Sequence, residues 1–156
     1  MNNIIKMKTY ILILARIFPK DHPDAGQVTR FITSLSEGSK IHTIRGNYAD
    51  WEKKVQDVLR GDARISIRIW EGKPYRSRQV ELLSLDKDSG VGIQKLRSFD
   101  DENAYFISDK GNVFPVSLQK MANNDGLSVN EWKGWFKNIS RFPLAIIHFT
   151  DFRYRL

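Results

Sequence analysis

Strict alternation of apolar and polar side chains over residues 64–70, Arg-Ile-Ser-Ile-Arg-Ile-Trp, is the strongest constraint on how this chain can fold. Successive side chains of a β-strand point to opposite faces of a sheet. The isoleucines therefore share one face of the predicted strand, and the other face carries Arg64, Ser66, Arg68 and Trp70. Such a strand requires a sheet that is packed on one side and polar on the other.

The other segments predict further strands and several short helices. Apolar residues recur at helical spacing over residues 27–37, 48–59 and 129–137, and a short helix is expected near residues 116–122. Strands are predicted at residues 9–17, 41–45, 75–85, 90–99 and 144–149, together with a hairpin at residues 105–117. This mixture predicts an α+β domain built around a mixed sheet or a small barrel.

The bulk composition limits the class of protein. A chain of 156 residues with 41% hydrophobic residues fits one domain, which we place at residues 9–152 with flexible ends at 1–8 and 153–156. The absence of cysteine excludes disulfides and thiolate zinc sites and is compatible with a cytoplasmic location. The apolar run at residues 10–15 is too short to span a bilayer, so no membrane association is expected.

The charge of the chain favours a polyanionic partner. The net charge is +7, from 25 basic and 18 acidic residues, which is typical of proteins that contact nucleic acid. Arg64, Arg68 and Trp70 share a strand face, and basic residues interleaved with an aromatic ring can follow a phosphate backbone and stack bases. The alternative is a solvated sheet face on which Trp70 covers a corner.

The segment Gly38-Ser-Lys-Ile-His-Thr-Ile-Arg45 brings an amine, a hydroxyl and a guanidinium together where a predicted helix gives way to a strand. Thr43 and Arg45 are two residues apart, so on a strand they share a face about 6.6 Å from each other. There they could bind a phosphate, a carboxylate or a base edge. Lys40 has the opposite parity, but it follows Gly38 closely and its long side chain can turn towards Thr43. The alternative is a strand-forming threonine, a rim arginine and a solvated lysine.

This segment resembles the motif of the ASCH domain, a relative of the PUA RNA-binding domain, in which a helix leads into G-x-K-[TS]-x-[ET]-x-R. Residues 124–132 and 146–149 resemble the closing helix and the last strand of that family. The resemblance covers residues 27–149 and implies a PUA-like, barrel-like mixed sheet with three to four flanking helices. The chain departs from compact ASCH proteins by extra residues at 18–26 and between 85 and 117.

Some ASCH proteins are amidohydrolases of acylated cytidine that use a Lys, a Thr and a Glu. The resemblance matches Lys40 and Thr43 to the first two residues and Asp125 to the third. Aspartate is roughly 1.5 Å shorter than glutamate, and a misplacement near ~1 Å can lower a rate by about a hundredfold. The alternative is that Asp125 and Gly126 form a turn before an N-cap at Ser128.

No cofactor and no metal are expected. The three histidines, His22, His42 and His148, lack the H-x-H and H-E-x-x-H spacings of metal sites. His42 and His148 are expected to pack as neutral residues, and His42 is also counted among the ligand-binding candidates because it lies inside the motif.

Three functions from different classes follow. The first is a domain that binds RNA, a nucleotide or a modified nucleoside in a pocket framed by Lys40, Thr43, Arg45 and Asp125, with His42, Arg64, Arg68 and Trp70 extending the binding surface. The second is an amidohydrolase of acylated nucleosides, with Thr43 as nucleophile, Lys40 as its activator and Asp125 assisting. The third is a protein-interaction module. The observation that bears most directly on the first two is whether Lys40, Thr43 and Asp125 converge on one cleft.

Overall fold

The computed structural model describes residues 7–155, which form an α+β fold with two sheets and four helices. The strands are β1 (Lys8–Ile13), β2 (His42–Arg45), β3 (Ala63–Trp70), β4 (Gln79–Leu85), β5 (Gly92–Phe99), β6 (Asn103–Ile107), β7 (Val113–Ser117) and β8 (Leu144–His148). The helices are α1 (Phe31–Glu37), α2 (Tyr48–Leu59), α3 (Leu118–Asn124) and α4 (Val129–Phe136). None of the helices in this part of the chain is both long enough and apolar enough to cross a membrane.

The smaller sheet has the strand order β1-β3-β4, with β1 parallel and β4 antiparallel to β3. The alternation predicted for β3 is confirmed, because Ile65, Ile67 and Ile69 are all buried. Ser66 is buried as well, although it belongs to the polar face. Its hydroxyl is held between the Arg68 and Glu81 side chains, which explains how a polar group is accommodated there.

The larger sheet is antiparallel throughout and has the order β2-β8-β5-β6-β7. Every residue of β8 is buried, which accounts for its nearly unbroken apolar sequence. Thr43 pairs with Ile147 and Arg45 pairs with Ala145. The short motif strand β2 is therefore held in register by the most deeply buried strand of the fold.

The barrel-like single sheet expected from the sequence is replaced by two open sheets. Within residues 7–155, β1 pairs only with β3 and β2 pairs only with β8, so no ladder joins the two sheets and no barrel is closed. The alternation of a strand specifies which face is buried, but it does not specify the neighbouring strand. Strand partners are chosen by contacts between segments that are distant in sequence.

Helix α2 has the predicted bounds, whereas α1 begins four residues later than the prediction of 27–37. Residues 27–29 instead pair with the segment after β1, where Val28 bridges Ile17 and the Thr29 hydroxyl donates to the Ala15 carbonyl at 2.7 Å. The helical spacing predicts Val28 on an apolar helix face, but the residue is 76% exposed. The predicted strand 9–17 ends at Ile13 for the same reason, since Ala15 and Ile17 pair with this loop.

The long loop at residues 18–26 packs on α4. The ring of Phe18 lies 4.4 Å from the ring of His22 and 5.5 Å from that of Trp135. Gly134 allows this close approach, because a Cβ atom there would lie 2.7 Å from His22 Nε2. Helix α4 begins with the predicted Ser128 capping box, and its Trp132 is fully buried.

Residues 1–6 and 156, which the sequence analysis placed in flexible ends, lie outside the described residues. Lys8 belongs to β1 and pairs with Ala63. Tyr154 is 3% exposed, and its backbone bonds to the Gln94 side chain through both N–H and C=O. Lys8 and Tyr154 thus belong to the packed structure.

Candidate functional site

A cavity of about 260 Å³ opens beside β2, between the end of β1 and helices α1 and α4. Thr43, Arg45 and Asp125 line it, and so does Trp70. Most of the remaining lining is apolar. Residues distant in sequence, from both sheets and from the turn between α3 and α4, therefore meet at one small cavity.

The turn after α1 places Lys40 behind this cavity. Gly38 ends the helix with a φ of +80°, a left-handed conformation that glycine adopts without a side-chain clash. The N–H groups of Ser39 and Lys40 then both donate to the Ser34 carbonyl at 3.0 Å, so the chain folds back under the helix. The regular alternation of a strand does not yet apply at Lys40, and its side chain enters the interior next to Asp125.

Lys40 is a buried amine with three hydrogen bonds. The residue is 2% exposed, and Nζ donates to Asp125 Oδ1 at 3.0 Å, to the Asp125 carbonyl at 2.7 Å and to the His42 carbonyl at 2.9 Å. Burial lowers the pKa of Lys40, and the Asp125 carboxylate opposes that shift. Because three acceptors match the three protons of an ammonium group, the contacts stabilise the charged form. The solvated lysine considered from the sequence is not observed.

Asp125 ends α3 and is followed by Gly126, whose φ is +78°. Burial alone would raise the pKa of the Asp125 carboxyl, but the Lys40 ammonium and the nearby His42 ring outweigh burial and lower it. Oδ1 accepts from Lys40 and lies 3.5 Å from His42 Nδ1. Among residues 7–155, no hydrogen bond reaches Oδ2. Asp125 is thus both a turn residue and a buried carboxylate with one oxygen available to a ligand.

Thr43 and Arg45 both reach the cavity from β2. Arg45 is half-buried, and its guanidinium donates to the carbonyls of Ile13 and Ile44. Burial lowers the pKa of Arg45, whereas the Asp125 carboxylate raises it, and a guanidinium remains protonated at neutral pH. In the described part of the chain, Arg45 makes no ion pair and the Thr43 hydroxyl makes no hydrogen bond. Both groups can therefore bind a ligand.

Aromatic rings form much of the cavity wall. The rings of Trp70 and Tyr75 lie 5.3 Å apart on one side, and those of Phe31 and Trp135 lie 5.5 Å apart on another. Tyr75 is 89% exposed at the entrance. An apolar, aromatic lining with a few convergent polar groups is typical of sites for small organic ligands.

Arg64 and Arg68 do not line the cavity, although they share a strand face with Trp70. Arg64 donates to the Glu81 carboxylate at 2.5 Å and to the Ser84 hydroxyl at 2.9 Å. Arg68 donates to Ser66 at 2.8 Å and to Gln79 at 3.0 Å. Of the strand-face residues predicted to bind a ligand, only Trp70 reaches the cavity.

His42 does not line the cavity either, since it is fully buried behind Asp125. Its Nε2 lies 2.6 Å from the hydroxyl of Tyr154, which accepts a hydrogen bond from Asn124 Nδ2 at 3.0 Å. Tyr154 is not among the site residues predicted from the sequence, and Asn124 enters there only as the first residue of the segment 124–132. The available signal was the Arg-Tyr-Arg alternation at residues 153–155, which is typical of an extended segment with one buried side chain.

His148 is the second buried histidine of this region. Its Nε2 lies 2.9 Å from Gln94 Oε1, and its ring centroid lies 5.6 Å from that of His42. Burial lowers the pKa of His148 to about 2, so this ring is neutral at physiological pH. Burial likewise raises the pKa of Tyr154. Both histidines pack in the interior, as the sequence analysis expected.

A larger groove of about 630 Å³ adjoins the cavity and shares Ala15, Trp70 and Pro74 with it. Its bed is mainly apolar, and its charged lining residues are all basic: Arg16, Lys20 and Lys73. We call this feature the basic groove. It offers positive charge directly beside the cavity.

The polar groups of the cavity suit an organic ligand more than a metal ion. Thr43 and Arg45 supply hydrogen-bond donors and Asp125 supplies an acceptor, whereas residues 7–155 contain no cluster of three histidine or carboxylate ligands. Comparisons of the chain with protein-family models, with curated proteins and with solved structures found no match. The cavity and its surroundings therefore carry the functional inference.

Proposed function

We propose that this protein is a PUA-like domain of the ASCH type that binds RNA, a nucleotide or a modified nucleoside, with one base held in the cavity. The observation that carries the proposal is the convergence of Thr43, Arg45 and Asp125 on one aromatic-walled cavity, with Lys40 paired to Asp125 behind it. Residues 38–45, which resemble the ASCH motif, and residues 124–132, which resemble the closing helix of that family, supply these groups.

The chemistry of the cavity supports a nucleobase as the ligand. A base edge presents donors and acceptors side by side in one plane. Arg45 and the Thr43 hydroxyl can donate to ring or carbonyl acceptors, while Asp125 Oδ2 can accept from an amino group. The rings of Trp70 and Trp135 offer apolar surface for the base faces. A volume of about 260 Å³ lies below the range of about 300–1,000 Å³ that is typical of drug-sized ligands, which suits a ligand as small as one base.

The basic groove favours a single strand over a free nucleoside. It shares Ala15, Trp70 and Pro74 with the cavity, and Arg16, Lys20 and Lys73 also line it. A neighbouring nucleotide can rest its base on the apolar bed while its phosphate meets the lysines. Proteins that bind single strands commonly combine a positively charged groove with aromatic stacking surfaces.

Binding can be tested with nucleosides and with a short single-stranded RNA, because Trp70 and Trp135 line the cavity and provide a fluorescence signal. Thr43→Val removes the hydroxyl but keeps a side chain of nearly the same shape, and it should weaken binding by about three- to tenfold. Arg45→Met removes a charged donor and should weaken binding by about tenfold or more. Thr9→Val is the matched control, since the Thr9 hydroxyl accepts from Arg64 and neither residue lines the cavity. Unchanged affinity in both cavity variants would contradict the proposal.

Amidohydrolysis of an acylated nucleoside is the second candidate function. It is favoured by one observation, the direct contact of Lys40 with Asp125 beside the cavity that Thr43 lines. A threonine nucleophile needs a base to take its proton. Lys40 donates three hydrogen bonds and has no lone pair available in this arrangement, which is why binding is the first proposal.

The two functions are separated by the release of cytidine from an acylated cytidine. A hydrolase should lose this activity in Thr43→Ala and in Lys40→Ala, and Asp125→Glu should keep or raise it because the longer side chain restores the expected reach. An inert wild-type protein with an active Asp125→Glu variant would indicate a binding domain with a latent site. Full activity in Thr43→Ala would exclude Thr43 as the nucleophile.

A further inference from the structure

A chain of polar groups runs from the protein interior to the back of Asp125 without touching the cavity. Asn124 Nδ2 donates to the Tyr154 hydroxyl at 3.0 Å, and that hydroxyl lies 2.6 Å from His42 Nε2. On the other side of the same ring, His42 Nδ1 lies 3.5 Å from Asp125 Oδ1. His42 and Tyr154 are both buried, so water does not compete with these contacts.

The protons of this chain can be assigned from its donors and acceptors. The Tyr154 hydroxyl accepts from Asn124, so its own proton is available to His42 Nε2. A neutral imidazole has one donor and one acceptor nitrogen, and Nε2 is then the acceptor. The proton of His42 consequently sits on Nδ1. That nitrogen is buried and has no hydrogen-bond partner among residues 7–155, and it faces the Asp125 carboxylate.

We propose that Tyr154 and His42 are positioning residues, which fix the Nδ1–H tautomer of His42 and thereby hold Asp125 as an ionised acceptor. The Lys40 ammonium donates to Oδ1 and the His42 Nδ1–H group lies 3.5 Å from the same oxygen, so a proton on the carboxylate is disfavoured. Oδ2 can then accept a hydrogen bond but cannot donate one. The consequence for ligand selectivity rests on the proposed function. The site should select ligands that present an amino or amide N–H to Asp125 and reject ligands of the same shape that have a carbonyl there.

The other two histidines provide internal references for the tautomer. The Asp24 N–H donates to His22 Nδ1 at 2.9 Å, and His22 Nε2 lies 2.8 Å from the Glu131 carbonyl. His148 Nε2 faces Gln94 Oε1 at 2.9 Å. A carbonyl or amide oxygen accepts, so His22 and His148 both carry their proton on Nε2. His42 alone among the three is assigned a proton on Nδ1.

The test is a long-range ¹H–¹⁵N correlation spectrum of the histidine rings in the full-length protein at neutral pH. We expect two rings with an Nε2–H pattern and one with an Nδ1–H pattern, and the latter should disappear in His42→Gln. If the signal lost in His42→Gln has the Nε2–H pattern, the assignment is overturned. This experiment needs no ligand, so its outcome does not depend on the proposed function.

Tyr154→Phe tests the role of the hydroxyl, with Tyr105→Phe as the matched control because Tyr105 bonds to the distant Asp100. Loss of the hydroxyl should move the His42 ring signals towards a mixture of tautomers and leave those of His22 and His148 unchanged. Unchanged His42 signals would overturn the role of Tyr154. If Tyr154→Phe loses the signals of all three rings, the variant is unfolded. The tautomer of His42 is then decided by the spectra of the wild-type protein and of His42→Gln.

The ligand selectivity is measured with adenosine against inosine and with cytidine against uridine, pairs that differ by an amino group in place of a carbonyl. The wild-type protein should prefer the amino member of at least one pair by about tenfold or more. Tyr154→Phe should reduce that preference by about threefold, and Tyr105→Phe should not. Equal affinity for both members of both pairs would overturn the selectivity. Absence of binding by every nucleoside would instead count against the proposed function, and the tautomer assignment would stand.

Discussion

At the scale of single residues, the buried ion pair of Lys40 and Asp125 beside the cavity should contribute most to stability. Removing one partner of such a pair leaves the other charge buried and uncompensated, which costs about 3–5 kcal/mol, whereas an exposed pair contributes about 0–1 kcal/mol. We predict that Lys40→Met lowers the free energy of unfolding by about that larger amount in urea titration. Lys87→Met, which breaks the exposed pair with Asp88, is the control.

The double variant Lys40→Met with Asp125→Leu should be more stable than Lys40→Met alone, because no unpaired charge remains. A double variant that is less stable than Lys40→Met would show that the pair does not act as a unit.

The Asp125 carboxylate should make the stability of the protein depend on pH. The pKa of Asp125 is lower in the folded protein than its usual value of 3.8. Between these two pKa values the unfolded chain binds more protons than the folded protein, so stability rises with pH and is lost as the pH falls through the folded pKa. We predict that Asp125→Asn shows a weaker loss of stability below pH 3.8 than wild type in unfolding titrations. Asp101→Asn removes a fully exposed carboxylate and provides the reference.

At the scale of the elements, helix α4 is shaped by the loop that rests on it. Replacing a helical glycine by alanine usually stabilises a helix by about 1 kcal/mol. In Gly134→Ala, however, the added Cβ would lie 2.7 Å from His22 Nε2 and 2.9 Å from Pro23 Cδ. We predict that Gly134→Ala lowers the thermal unfolding midpoint despite the better helix propensity.

A second substitution tests whether the contact with His22 causes the predicted effect of Gly134→Ala. In a His22→Ala background the closest contact is removed and only that with Pro23 Cδ remains, so Gly134→Ala should be less harmful there. A stabilising effect of Gly134→Ala in the wild-type background would mean that the loop at residues 18–26 moves aside at little cost.

At the scale of the whole molecule, we expect the net charge of +7 to act on the proposed nucleic-acid ligand through the basic groove. Each phosphate contacted on a single strand releases counterions and adds about 0.7 to the slope of log K against log salt. We predict that Lys20→Gln with Lys73→Gln reduces the slope for single-stranded RNA by about 0.7 for each lysine. Lys53→Gln with Lys110→Gln changes the net charge equally but alters no residue of the groove. Equal slopes for the two double variants would remove the basic groove from the proposed binding surface.

Local pattern was sufficient for most of the elements. The alternation of β3, the helical spacing of α2 and the capping box of α4 are encoded by residues a few positions apart, and all three are present. Thr43 and Arg45 were placed on one face by their spacing, and both reach the cavity. The prediction for Val28 is wrong because local pattern does not include distant partners. Val28 pairs with Ile17, and this bridge keeps residues 27–29 out of helix α1.

The amino-acid sequence by itself determined the kinds of element, the faces they bury and the segment from which the candidate site is built, since each of these depends on neighbours in the chain. Only the tertiary structure decided that two open sheets form and that Lys40 is buried against Asp125. It also decided that the Tyr154 hydroxyl contacts His42 behind this pair. Lys40 and Asp125 are separated by 85 positions and His42 and Tyr154 by 112. Burial and hydrogen bonding between residues so far apart depend on how the elements pack, and no local pattern encodes that packing.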